Sequence, residues 1–172
     1  AWVSDDGDYV FTTDEVNGAF LGSYDITDLN NIQEVDRIQS NPGSNSAPHN
    51  THVDGNFLIT SYYQDGTTVH DITHPYNMIQ VAYYDSYSGS GAGFNGCWGT
   101  YPFLPSGNII SSDINSINNS GVLFVYGRDF SQACYLEGNV TDALTNSPLN
   151  TANVKILNTI ANSSSTNLLG NY

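Results

Sequence analysis

The chain has 172 residues, with 17 Asp or Glu against 3 Lys or Arg, and a formal net charge of −14. So acidic a surface repels phosphate backbones and anionic headgroups, which excludes sequence-independent nucleic-acid binding and electrostatic membrane association; no apolar run is long enough to cross a bilayer as a helix. Twelve Tyr, seven Phe and two Trp in a 39% hydrophobic composition exclude the disorder that acidity alone suggests.

Asn, Asp, Ser, Thr, Gly and Tyr dominate, and strong helix formers are scarce, so an all-β chain is expected. The first predicted unit opens with Trp2-Val3, turns through Asp5-Asp6-Gly7-Asp8 and runs through Tyr9-Val10-Phe11-Thr12-Thr13-Asp14. A third strand, Leu21 to Asp25, leads into Asp25-Ile26-Thr27, and a fourth covers Ile32 to Ile38. The second unit repeats this order. His52-Val53-Asp54-Gly55 leads to Phe57-Leu58-Ile59-Thr60-Ser61, then to Thr67 to Asp71 with Asp71-Ile72-Thr73, then to Met78 to Tyr84. The third unit begins at Pro105-Ser106-Gly107 and continues through Ile109 to Asp113 into the more divergent Gly121 to Gly127.

Thr13, Ser61 and Ser112 occupy equivalent places, 48 and 51 residues apart, and Asp-Ile-Thr recurs after 46. About four short strands per unit, separated by glycine and Asx turns and repeating every 40 to 50 residues, are the pattern of propeller blades. Three blades do not close a ring, which predicts an incomplete propeller and a tendency to self-association. Both ends read as cut within strand patterns, so a missing signal peptide carries no information about compartment.

The blade ending Leu21-Gly22-Ser23-Tyr24-Asp25-Ile26-Thr27-Asp28 resembles the LVIVD-repeat propeller. Pro48-His49-Asn50-Thr51-His52 and Cys97-Trp98-Gly99-Thr100-Tyr101-Pro102-Phe103 resemble the choice-of-anchor B family of exported bacterial proteins. Residues 134–172 are similar to a carboxypeptidase-regulatory-like module, through Leu136-Glu137-Gly138-Asn139-Val140-Thr141-Asp142, Pro148-Leu149, Ala152 to Ile156, and Gly170-Asn171-Tyr172 as the opening of a further strand. The resemblance implies a partial propeller over 1–133 and a truncated Ig-like or prealbumin-like β-sandwich over 134–172. It also implies export by the type IX route of Bacteroidetes and a secreted or outer-surface location.

Candidate site residues follow from side-chain chemistry. His49 and His52 are potential ligands, yet a separation of three puts them on opposite faces of a strand unless a turn intervenes. Trp98 and Tyr101 are the best candidates for stacking on a sugar ring. Asp14 and Asp113 hold matching repeat positions and could line a channel as paired carboxylates. Asp5, Asp6 and Asp8 supply hard oxygens suited to calcium, although Asp-Gly is equally the residue pair of a tight hairpin. Cys97 and Cys134 would bridge in an exported protein or remain two buried thiols otherwise. Ser88-Gly89-Ser90-Gly91-Ala92-Gly93 lacks the Lys and the strand–loop–helix setting of a phosphate loop, and no Gly-x-Ser-x-Gly elbow occurs.

A non-enzymatic structural or binding role is therefore expected, directed at an extracellular glycan or protein ligand. The alternatives are a polysaccharide-acting hydrolase or lyase and a self-assembling extracellular protein.

Overall fold

A computed structural model describes residues 1–89, 91–156, 163–165, 168–169 and 171. No helix occurs among them, and every paired strand is antiparallel. The chain divides into two compact units, Ala1–Ala133 and Cys134–Tyr172.

The first unit holds three sheets in sequence order. Sheet A contains β1 (Trp2–Val3), β2 (Tyr9–Thr13), β3 (Leu21–Asp25) and β4 (Gln33–Ile38); sheet B contains β5 (Asn50–Asp54), β6 (Phe57–Ser61), β7 (Thr67–Asp71) and β8 (Ile79–Tyr84). Sheet C contains β9 (Gly96–Tyr101), β10 (Ile109–Ile117) and β11 (Ser120–Tyr126). Each strand pairs with its sequence neighbour, as short connections between antiparallel strands dictate.

The repeat extends to details the residues do not spell out. β3 and β4 pair with a bulge that leaves Val35 opposite no partner, and β7 and β8 pair with a bulge at Val81, 46 residues later. The two Asp-Ile-Thr segments close alike. Asp25 and Asp71 each accept the amide of the Thr two residues on, at 2.9 and 2.8 Å, while Ile26 and Ile72 donate to the carbonyls of Asp8 and Asn56. An aspartate capping its own turn in this way explains why that position is fixed in both copies.

Strand alternation then decides what packs where. Leu58 points to sheet A, where it is buried with Phe11 and Leu21; Ile59, its neighbour, points to sheet C, where it is buried with Val69 and Ile109. Sheet B is thus covered on both faces, and all five residues of β7 are buried. A fully buried side chain of this size contributes roughly 1.5–3 kcal/mol. The first strands of the three sheets are neighbours, since β5 lies against both β1 and β9.

One expectation is corrected. The third unit has three strands, not four: after Tyr126 the chain turns back instead of adding an edge strand. Arg128 holds it there, its guanidinium donating to the Gly107 carbonyl at 2.6 Å, to the Pro102 carbonyl at 2.7 Å and to Asp54. Phe130 then packs edge-on to Phe57 at 5.0 Å, and the Ala133 amide donates to Asp71.

The second unit is sparsely paired among its described residues. Thr141 bridges Pro148 across a turn whose head is Asp142, a carboxylate accepting the Leu144 and Thr145 amides at 3.0 and 2.8 Å. β12 (Asn153–Lys155) pairs with β13 (Ser163–Ser165), and Asn139 bridges Asn171. Gly170 and Tyr172, on which part of the expected next strand rests, lie outside the described residues.

Candidate functional site

The rings at the first strands of sheets A, B and C form two tiers. Trp2, His52 and Tyr101 are equivalent, being the cross-strand partners of Phe11, Ile59 and Ile110, which hold the same place on the second strand of each sheet. Trp2 lies 4.7 Å from His52 between ring centroids and stacks on Phe103 at 5.6 Å, and Phe103 in turn takes Tyr101 edge-on at 5.4 Å. Burial lowers the pKa of His52, so its neutral ring is the favoured form.

The second tier joins His49 to Trp98. Each stands two residues before the buried threonine of its strand, Thr51 or Thr100, and the two rings stack at 5.2 Å with 27° between planes. Trp98 reaches this place through a bulge: Asp113 pairs with Cys97 and Ser112 with Gly99, so Trp98 has no partner. The extra residue resets the alternation. Cys97 and Thr100 both become buried, while Trp98 (50%) and Tyr101 (46%) both remain exposed. His49 and His52 therefore belong to different tiers, His49 lying just outside β5, and the pair is no two-histidine ligand set.

Tyr63 anchors the His49 tier. Its ring meets His49 edge-on at 5.5 Å and Phe94 at 5.2 Å, and its hydroxyl donates to Glu15, whose Oε1 is also 3.7 Å from His49 Nε2. Burial, then the Glu15 carboxylate, pushes the Tyr63 phenol well up. Tyr63 sits at φ +29°, an unusual value for a bulky residue, and its carbonyl accepts the amides of Gly66 and Cys97 at 3.0 and 2.8 Å. Sequence reasoning missed Glu15, Phe94 and the anchoring role of Tyr63; the 49-residue spacing of His49 and Trp98 was the signal available.

Asp14 and Asp113 are not brought together. Asp14 is exposed in a groove of about 390 Å³ on the outer face of sheet A, beside Arg37, which makes a two-pronged contact with Glu34 at 2.5 and 3.0 Å and covers the Phe20 ring. Asp113 is buried between sheets B and C and accepts the hydroxyls of Ser86 and Ser116. A shared acid/base centre needs both carboxylates on one substrate, which this placement denies.

The calcium expectation is likewise corrected. Asp6 accepts the Ser4 hydroxyl at 2.5 Å and the Asp8 amide at 3.0 Å, which closes the β1–β2 turn and holds its own carboxyl below the usual range. Asp5 and Asp8 do not converge with it, and among the described residues no group of three His, Cys, Asp or Glu is placed to hold a metal ion. The expected bridge is not formed: Cys97 is a buried free thiol and Cys134 an exposed one. Cys97 is engaged by the Thr67 hydroxyl at 3.3 Å, and burial pushes its thiol up to about 12. No helix of the described residues is long and apolar enough to cross a membrane.

Comparison of the chain with protein-family models, with curated proteins and with solved structures finds no match.

Proposed function

We propose that residues 1–133 are blades of a β-propeller in a secreted or outer-surface protein, and that the aromatic rings at their first strands bind an extracellular glycan without turning it over. The propeller reading is supported by the repeated pairing, by the matched bulges at Val35 and Val81, and by the adjacency of β1, β5 and β9, which are then the strands nearest the ring axis. The LVIVD-like and choice-of-anchor B-like segments fall on these sheets. Residues 134–172 are read as the beginning of a carboxypeptidase-regulatory-like spacer.

The single observation that carries the binding role is the His49–Trp98 stack. A half-exposed indole, fixed from behind by a second ring and flanked by Glu15 and Asn50, offers a flat apolar face with hydrogen-bonding groups at its rim. That combination suits a sugar ring, which has an apolar face and a hydroxyl edge. The net charge of −14 selects for neutral rather than acidic glycans. The separation of Asp14 from Asp113 favours binding over hydrolysis.

The test is a titration of neutral oligosaccharides followed by tryptophan fluorescence, with reducing ends assayed in parallel. Binding that weakens at least about tenfold in Trp98→Ala, without release of reducing ends, is expected. Unchanged binding in Trp98→Ala would sink the site, and sugar release would sink the non-catalytic reading.

A further inference from the structure

Four aromatic rings form a row where the connections between the sheets meet. Trp98 stacks on His49 at 5.2 Å, His49 meets Tyr63 at 5.5 Å, and Tyr63 meets Phe94 at 5.2 Å. The row is covered in the middle and open at both ends. Tyr63 is buried and His49 half-buried, whereas Trp98 is 50% and Phe94 55% exposed. The contact with Tyr63 thus leaves more than half of the Phe94 residue in water.

Phe94 is nevertheless fixed in place. The Ala92 carbonyl accepts Gln64 Nε2 at 3.1 Å, and the Gly93 amide donates to Asn17 Oδ1 at 3.3 Å. Gly93 sits at φ +132°, and a Cβ there would stand 3.1 Å from the buried Gln64 side chain, so glycine suits the position. The end of the glycine-rich connection is therefore fastened to the β2–β3 and β6–β7 connections at once. A ring already held in one place gives up little freedom when a ligand covers it.

Glu15 serves the two covered rings. Its Oε1 accepts the Tyr63 hydroxyl and lies 3.7 Å from His49 Nε2. Its Oε2 accepts no hydrogen bond among the described residues, and the side chain is 47% exposed. A carboxylate oxygen in that position can accept a hydroxyl of a ligand lying across the row. Glu15, His49, Tyr63 and Phe94 all lie on connections between strands, and none of them lines the groove on the outer face of sheet A.

We propose that Phe94 is a second stacking platform of the glycan site. The site then takes a neutral oligosaccharide of at least two sugar units, one ring on Trp98 and another on Phe94, with a hydroxyl between them accepted by Glu15. This inference rests on the reading of Trp98 as the first platform. The three ring-to-ring steps bound the distance between the two platforms, which keeps both within reach of a short oligosaccharide.

Calorimetric titration with neutral gluco-, manno- and galacto-oligosaccharides, from the monosaccharide upward, tests it. Wild-type affinity is expected to rise at least about tenfold with chain length, up to the shortest chain that spans both rings. Phe94→Ala and Phe94→Leu lose that rise and leave monosaccharide binding within about twofold of the wild type. The Leu variant keeps apolar bulk against Tyr63 while removing the flat face, so it serves where near-ultraviolet circular dichroism shows the Ala variant to be misfolded. A wild-type affinity that does not change with chain length, or a rise that Phe94→Leu retains, overturns the second platform while Trp98-dependent binding stands. Equal losses for the monosaccharide and longer chains in Phe94→Leu overturn it too, since they show both rings gripping one sugar. Binding that is absent from the wild type, or that Trp98→Ala leaves unchanged, overturns the first platform and the second with it.

Discussion

Ser86, on the segment leaving sheet B, donates its hydroxyl to Asp113 on β10 of sheet C, and Ser40, 46 residues earlier on the segment leaving sheet A, donates its own to Asp65 in the β6–β7 turn of sheet B. Each serine follows the fourth strand of its sheet by two residues. Each aspartate is drawn out of water; for Asp65, burial raises the pKa while the hydroxyls of Ser40 and Ser44 oppose that rise. The contact is a repeated tie between consecutive sheets. In Ser86→Ala, Asp113 keeps one hydroxyl partner, Ser116, at 2.8 Å. Losing a hydrogen bond to a buried charged group costs about 1.5–3 kcal/mol. Urea unfolding of Ser86→Ala is expected to show a loss in that range, whereas Ser88→Ala, at an exposed site, stays within about 0.5 kcal/mol.

His70 sets a pH dependence. It is fully buried between sheets A and B, neither ring nitrogen has a hydrogen-bond partner among the described residues, and burial lowers its pKa from 6.5 to about 4. The folded state binds the proton less well than the unfolded state, so stability is fully present above pH 6.5 and is lost as the pH falls towards 4. The loss amounts to roughly 3 kcal/mol. Melting curves of the wild type and His70→Leu between pH 7 and pH 4.5 isolate it: the wild type loses stability relative to the variant across that window, and parallel curves would refute the assignment.

The thiols give a chemical readout. With Cys97 buried and its thiol pushed up to about 12, thiolate is scarce at neutral pH, while Cys134 is open to reagent. Disulfide-exchange reagents at pH 8 are expected to titrate one thiol in the native chain and two in denaturant, without prior reduction. Zero thiols in denaturant would mean that the two cysteines are bridged after all.

The repeat was legible because it is carried by residue identity. Asp25-Ile26-Thr27 and Asp71-Ile72-Thr73 use the same aspartate for the same turn, and the alternation of Leu58 and Ile59 follows from strand parity. The bulges were not legible, since any residue can occupy the extra position, and it is the bulge at Trp98 that sends that ring to His49. The missing fourth strand of sheet C depends on the long-range contacts of Arg128, which no local pattern encodes. Acidic turns misled for a similar reason: Asp6 spends its lone pairs on Ser4 and Asp8, a use that a list of carboxylates does not reveal.

Glycine substitutions separate a close approach from a mere turn. Gly96 and Gly107 both adopt positive φ, +89° and +77°, where a Cβ costs about 1–2 kcal/mol in backbone strain. At Gly107 a Cβ meets nothing within 4 Å, so Gly107→Ala carries that strain alone. At Gly96 it would stand 2.3 Å from the Tyr63 carbonyl oxygen, a backbone atom that already accepts the Cys97 amide. Either β9 or Tyr63 must then move, and Tyr63 carries His49 and Phe94 on its ring. Gly96→Ala is therefore expected to lose several kcal/mol, against about 1 for Gly107→Ala, and to weaken any ligand that stacks on Trp98 even where the fold survives. Equal melting temperatures for the two variants would show that the Tyr63 carbonyl and β9 do not approach this closely in solution.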